Sequence, residues 1–236
     1  MIQLERTCTA LLEARDPGQY NAALARAAAD LDCATFGGFY LVDVAHLPWE
    51  EKARHFHNVP ADTWDDPHTA GVDPAMQHAR TSALPIVWNQ HTYTAAGQGG
   101  LWERLSRSGQ SSGLLIGLHL PGQRHFCLGV ESPDRWDGDN ERAARLLPAF
   151  CTLALYAHAA AQRLFDSVLT ARTMPLSPRE REALQWVAAG KTAWEIGMIM
   201  SVSERTASKH VDAAMRKLNC ATRAQAVAQA VTLGWI

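Results

Sequence analysis

Residues 176–236 read LSPREREALQWVAAGKTAWEIGMIMSVSERTASKHVDAAMRKLNCATRAQAVAQAVTLGWI, and their punctuation decides the architecture of this end of the chain. Ser177 can cap a helix whose first position is Pro178, and Glu180 closes a capping box. Ala183, Leu184, Val187 and Ala188 make one apolar stripe before Gly190 stops the helix. Thr192 and Glu195 form a second box, opening a short helix with Ile196, Ile199 and Met200 inward. Ser201-Val202-Ser203 makes a tight turn, and Ser203 caps a third helix running from Glu204 to about Leu218. Ala207, Val211, Ala214 and Leu218 are its buried stripe; Arg205, Lys209, Asp212 and Arg216 follow the same spacing on the opposite side. Thr222 starts a fourth helix with Ala224, Val227, Ala228 and Val231 along one face and Gly234 at its end. Trp186 and Trp194 are read as packed within this unit, and Trp235 as closing it. A short helix, a tight turn and a second helix with a basic, polar outer side is the helix-turn-helix arrangement.

Charge agrees with that arrangement. The whole chain is balanced at a net charge of −2, yet residues 171–236 hold nine Lys/Arg against five Asp/Glu. A basic tail behind an acidic front suits a polyanion partner for the tail only. Arg205, Ser208 and Lys209, in the N-terminal half of the third helix, are candidates for base edges, and Asp212 can accept from cytosine. Thr192, Arg216 and Lys217 suit the phosphate backbone, where they hold register without reading sequence.

Working back toward the N-terminus, the 236 residues are 47% apolar and 19% charged, enough for a substantial core and too balanced for disorder. No apolar run reaches the roughly 18–20 residues of a membrane span, and MIQLERTCTALLEARD lacks the basic start of a signal peptide. A soluble, cytoplasmic protein away from membranes is expected. Five scattered cysteines (Cys8, Cys33, Cys127, Cys151, Cys220) argue for reduced thiols rather than disulfides or a zinc cluster. His55, His57, His68 and His78 have no cysteine or carboxylate completing a ligand spacing, so no metal is expected. G-x-S-x-G, P-loop and G-x-G-x-x-G signatures are missing, which argues against catalysis.

Apolar spacing predicts helices near 3–14, 20–32, 74–82 and 98–107. Strands are predicted at Thr35–Val42, Leu114–Leu120 and His125–Val130, the last two joined through Pro121-Gly122. A long apolar helix runs from about Asn140 to Val168, with Pro148 kinking its first half. The expected fold is α+β: an N-terminal α-β-α sandwich with a central antiparallel sheet over residues 1–168, a linker at 169–175, and a small all-α four-helix domain over 176–236.

The tail closely resembles the LuxR-type helix-turn-helix of bacterial transcription factors over some 60 residues without gaps. The likeness is carried by Leu176, Arg179, Glu180, Leu184, Gly190, Glu195, Ile196, Ser203, Thr206, His210, Lys217, Leu218 and Ala226. Ala207 and Gly197 depart from it as small residues that loosen local packing. The resemblance implies double-stranded DNA with an inverted-repeat operator as partner, and a homodimer joined through the fourth helix. It adds Thr206 and His210 to the DNA-facing set, His210 being open to packing as well, and admits RNA polymerase as a further partner.

Residues 15–165 or so resemble the autoinducer-binding domain of quorum-sensing regulators, through Val72-Asp73-Pro74, Leu84-Pro85-Ile86-Val87-Trp88, Tyr93 and Gly113. The resemblance implies an acyl-homoserine lactone, or a related aromatic or non-lactone signal, held in a mostly apolar cavity without any cofactor. Asp73 then accepts the ligand amide, a tryptophan donates to the lactone carbonyl, and tyrosines reach the acyl carbonyl. The candidate lining is Tyr40, Phe56, Trp64, Asp73, Met76, Trp88, Tyr93 and Gly129. Asp73-Pro74 also reads as a helix cap. The family segment N-Y-P-x-x-W-x-x-x-Y meets Asn58-Val59-Pro60-Ala61-Asp62-Thr63-Trp64 in two ways. Anchored on Asn-x-Pro, Val59 replaces the first tyrosine and Trp64 is the lactone tryptophan displaced by one. Anchored on Asp73, Phe56 and Pro60 replace the tyrosine and tryptophan, and Trp64 replaces the second tyrosine. Either way a hydroxyl donor is missing. The alternative is an N-terminal domain that dimerises or binds a partner protein without a small ligand.

Overall fold

The computed structural model describes residues 2–43, 48–59, 71–136, 140–173 and 176–236. The chain divides into two compact units: Met1–Leu41, Ala53–His119 and His125–Ser167 form one, and Val42–Lys52, Leu120–Arg124 and Val168–Ile236 the other.

The front of the chain runs α1 (Ile2–Glu13), α2 (Pro17–Asp30), β1 (Thr35–Val42), α3 (Trp49–Lys52), β2 (Ala53–His57), α4 (Pro74–Thr81), β3 (Ile86–Trp88), α5 (Gln90–Ala95), α6 (Gly99–Arg107), β4 (Ser112–Leu120), β5 (Arg124–Ser132) and α7 (Asn140–Thr173). The strands form one sheet in the order β2-β1-β5-β4-β3. β1 is antiparallel to β2, and β3 to β4. Ala34 N–H donates to Glu131 O and Asp43 N–H to Gln123 O, so β5 descends as β1 ascends. The β4–β5 hairpin turns through Gly122 and Gln123 at φ 76° and 56°, the left-handed pair that matches strand twist. Two strands lie beyond the three that apolar runs predict. β2 reads ARHFH, too polar to stand out, and β3 is only IVW.

α7 supplies the core on one face of this sheet. Phe150, Leu153, Ala154, Ala157, Ala160 and Ala161 are fully buried, and Tyr20 Oη donates to Ala157 O at 3.0 Å. Its stretch Glu141–Asp166, at mean hydropathy 1.2, is long and apolar enough to cross a membrane by length and composition. The expectation that no run would qualify is corrected to that extent. The small residues that raise its hydropathy are spent on close helix packing. Pro148 lies inside the helix, where it withholds an N–H from the Ala144 carbonyl. The helix continues to Thr173, into the stretch predicted as linker.

At the other end, α8 (Pro178–Ala188), α9 (Ala193–Met200), α10 (Glu204–Lys217) and α11 (Arg223–Thr232) start where their caps predict. Ser177, Thr192 and Thr222 close capping boxes with Glu180, Glu195 and Gln225, and Ser203 Oγ accepts Thr206 N–H. Ser201, at φ 56°, makes the turn between α9 and α10. Ala183, Ile196, Met200, Ala207 and Val211 form the core, with Trp186 packed against it and Trp235 buried.

Three inward assignments are wrong: Ile199 is 42% and Trp194 62% exposed, and Ala188 is exposed. The inner seam of α9 is centred on Ile196, Gly197 and Met200. A Cβ at Gly197 would stand 2.9 Å from Val202 O, so the following turn closes against the glycine and swings the seam away from residue 199. Gly197 and the fully buried Ala207 therefore mark tight packing, not loosening.

Candidate ligand site and nucleic-acid interface

Register sorts the sheet residues into two faces, because directly paired residues point the same way. Phe39 pairs with His55, and Gly38 with Phe56. Phe39 packs against the cluster of Trp88, Tyr93, Leu115 and Cys127, together with Met76. Phe56 lies on the other face. Its ring meets Tyr20 edge-on at 5.2 Å and stacks on Phe126 at 5.7 Å. Gly38 accommodates it, since a Cβ there would come within 2.6 Å of the ring. Tyr40 also faces α7, donating to Asp166 Oδ1 at 2.9 Å. Tyr40 and Phe56 are therefore core residues, not part of the Asp73 cluster. One residue of slip along a strand reverses its face, and the sequence does not print the register. Trp64 lies outside the described residues.

Asp73 does two things at once. It caps α4, with Oδ1 accepting from Ala75 N at 2.8 Å and Met76 N at 3.1 Å. Tyr93 Oη donates to both carboxylate oxygens at 3.1 Å. Burial raises the Asp73 carboxyl above its ordinary range, while the bonds from Met76, Tyr93 and Ala75 pull against that shift. Burial and the Asp73 charge both raise the Tyr93 phenol, so it stays protonated and keeps donating its hydrogen bond to Asp73. The tyrosine role implied by the family, a donor to a ligand carbonyl, is thus unavailable in this arrangement. Trp88 stacks edge-on to Tyr93 at 5.7 Å and lies over Gly113, where a Cβ would stand 2.9 Å from the indole.

Three groups on this face stand outside the candidate lining drawn from the sequence. Cys127 is buried, its thiol pushed up to about 12 by burial, then by Asp73 and Glu131. Glu131 is 5% exposed on β5, its Oε2 accepting from Thr35 Oγ1 at 2.8 Å. Its Oε1 lies over Gly129, 2.8 Å from the position of a Cβ. His55 shares the Phe39 side, the two rings 6.3 Å apart. An acid inside the apolar strand His125–Val130–Ser132 was the available signal for Glu131.

On α10, Arg205, Lys209, Asp212 and Arg216 are exposed, while Thr206, Ser208 and His210 are half-buried. Thr192 is exposed and exchanges hydrogen bonds with Glu195, accepting from its N–H at 3.3 Å and donating to Oε2 at 2.9 Å. Lys217 differs from the others. Its ammonium lies 2.7 Å from Glu180 Oε2, tying the end of α10 to the start of α8. Burial works against the Glu180 charge, but Lys217 and Ser177 outweigh it and hold the carboxyl below its ordinary range. On α11, Ala226 and Ala230 face inward, leaving Ala224, Ala228 and the 55%-exposed Val231 on the outside.

Residues 174–230 match the family described as bacterial regulatory proteins, luxR family, and residues 16–161 match the autoinducer binding domain. The quorum sensing-dependent transcriptional regulator RpaR of Rhodopseudomonas palustris is 35% identical over 167 residues, 71% of this chain and 67% of that protein. The regulatory protein SdiA of Escherichia coli is 28% identical over 209 residues, 84% of this chain and 83% of that one. A crystal structure of SdiA shares the fold at a TM-score of 0.72 and 22% identity, covering 99% of this chain and 97% of its own. The chain belongs to the LuxR family of bacterial regulatory proteins, the quorum-sensing transcription regulators that join an autoinducer-binding domain to a helix-turn-helix.

Proposed function

We propose that this chain senses an acyl-homoserine lactone or a related acyl signal and binds an inverted-repeat operator as a homodimer in the cytoplasm, without catalysis. The sensing part is residues 1–168, the linker 169–175 and the DNA-binding part 176–236. The observation that carries the reading is Asp73, a half-buried carboxylate beside an apolar cluster on the sheet face opposite α7. Among the described residues its Oδ2 accepts only the shared Tyr93 hydroxyl, which leaves capacity for a ligand N–H. Met76, Trp88, Tyr93 and Gly129 complete the site with it. SdiA has been solved in complex with octanoyl-rac-glycerol, which carries an acyl chain, and this supports an acyl chain in the ligand proposed here. Arg205, Ser208 and Lys209 meet base edges with Thr206, His210 and Asp212 beside them, and Thr192 and Arg216 hold phosphates. The exposed face of α11 pairs with a second copy. RNA polymerase is a further partner at the promoter.

A second reading, an N-terminal domain that dimerises without ligand, draws on the same aspartate: its cap and its tyrosine already satisfy most of its bonds. Asp73→Asn separates the two. The introduced amide can oppose a ligand N–H with a donor, at about 1–3 kcal/mol, whereas asparagine caps a helix about as well as aspartate. Mass spectrometry of denatured protein, together with thermal melting against a panel of acyl signals, is the direct test. Saturation at a hundredfold excess adds about 2.7 kcal/mol to folding. A bare protein, with melting curves of wild type and Asp73→Asn alike unmoved by the panel, sinks the sensing role and leaves the second reading.

A further inference from the structure

On the Asp73 side of the sheet, Glu131 is 95% enclosed, being only 5% exposed. Its Oε2 is taken by the Thr35 hydroxyl at 2.8 Å. Its Oε1 makes no hydrogen bond among the described residues, and it occupies the space that Gly129 leaves by lacking a side chain. The neighbour at 3.1 Å from that space is Leu115, which packs in the cluster of Trp88 and Tyr93. An unpartnered carboxylate oxygen in such a place is costly unless something meets it.

An amide offers N–H on one side and C=O on the other. A ligand that feeds its N–H to Asp73 therefore calls for a donor on its carbonyl side. Tyr93 spends its proton on Asp73 and Thr35 spends its own on Glu131. Cys127, which lies in the field of both carboxylates, is only a weak donor. We propose that Glu131 is a second polar anchor of this site, donating through Oε1 in its neutral form to the amide carbonyl of a ligand whose N–H Asp73 accepts. This rests on the ligand-site reading given above.

Enclosure, rather than a neighbouring charge, favours that form. Cys127 on β5, Tyr93 on α5 and Cys33 ahead of β1 all feel its charge, and Asp73 adds a second negative charge on Cys127 and Tyr93. Arg142 and Asp32 act on Cys33, and His55 and His57 stand on neighbouring β2. Burial raises the Glu131 carboxyl to about 7, against the pull of Thr35, and a ligand that excludes more water raises it further. Binding then takes up a proton. It is strong below that value and weakens as pH rises through it.

Calorimetry of the full chain with N-octanoyl-homoserine lactone between pH 6.0 and 8.5 tests this, with ring integrity checked by mass spectrometry. Wild-type affinity should fall about thirtyfold across that range, with proton uptake at pH 7.5. Glu131→Gln presents a permanent neutral donor, so it should bind within a few-fold of wild type at pH 6.0 and show no such fall. Glu131→Leu should bind roughly ten- to a hundredfold more weakly at every pH; where it does not fold, the glutamine variant carries the test. Identical pH profiles for wild type and Glu131→Gln overturn the proposal while leaving the ligand site standing. No binding by wild type or either variant at any pH overturns both.

Discussion

The helical unit at 176–236 and the Asp73 face of the sheet assemble their functional surfaces by different rules. On α10 one helix carries Arg205, Lys209 and Arg216, so spacing along the chain is also spacing on the surface. On the sheet, Asp73, Trp88, Tyr93, Cys127 and Glu131 come from four elements, and a strand residue belongs to the site only if register turns it that way. A helix carries its face in its own sequence; a strand borrows its face from its neighbours.

The sharpest way to break this contrast is Phe56. As a core residue between Tyr20 and Phe126, Phe56→Ala should cost about 3–5 kcal/mol of stability in denaturant titration, with His55→Ala costing under about 1. A Phe56→Ala protein as stable as wild type would place Phe56 with Asp73 and undo the face assignment.

Glu131 gives the next effect, about 3 kcal/mol. Its folded value of about 7 lies above the ordinary carboxylate value of 4.5, so its contribution to stability is present below 4.5 and is lost as pH rises to 7. Glu131→Gln escapes that loss. The variant should match wild type near pH 4 and exceed it at pH 8 in thermal melts without ligand; equal stability at pH 8 would mean the carboxylate is solvated.

Lys209→Ala should weaken operator binding by about 1–3 kcal/mol and relax preference at one base position. Arg216→Ala should weaken all sequences alike and flatten the salt dependence. Gel shifts with wild-type affinity for both would take α10 out of the groove. Lys217→Ala sharpens the point: its bond to Glu180 makes its loss visible in melting as well as in DNA binding.

The smallest effect is local. Ser203→Ala should cost about 1 kcal/mol by removing the acceptor for Thr206 N–H, measured as a shift in the denaturation midpoint. An unchanged midpoint would show that tertiary packing alone sets the start of α10.

How legible each part was follows from these rules. The four helices of 176–236 were readable to within a residue or two at their starts, because Ser177, Thr192, Ser203 and Thr222 satisfy backbone donors a few positions ahead. The same range of chemistry announced Asp73 as a cap, whereas the cap of α2 at Asp16, whose side chain takes Gln19 N–H at 2.8 Å, lies ahead of the start that apolar spacing gave. Periodicity failed on α9, where eight residues hold too few turns to define an inward side, and on β2 and β3, which are too short or polar to show alternation.

What the sequence determined by itself has its cause within about four residues: the helix starts of 176–236, the turn at Ser201, the hairpin at Gly122 and the basic outer side of α10. The family likeness was also in the sequence, because motif residues are matched one by one. Tertiary structure alone decided that Tyr40 and Phe56 belong to the core, that Tyr93 donates its hydrogen bond to Asp73, and that Glu131 lies over Gly129. Those outcomes depend on strand register and on burial. Both are set by residues tens of positions away, which spacing along a single chain does not encode.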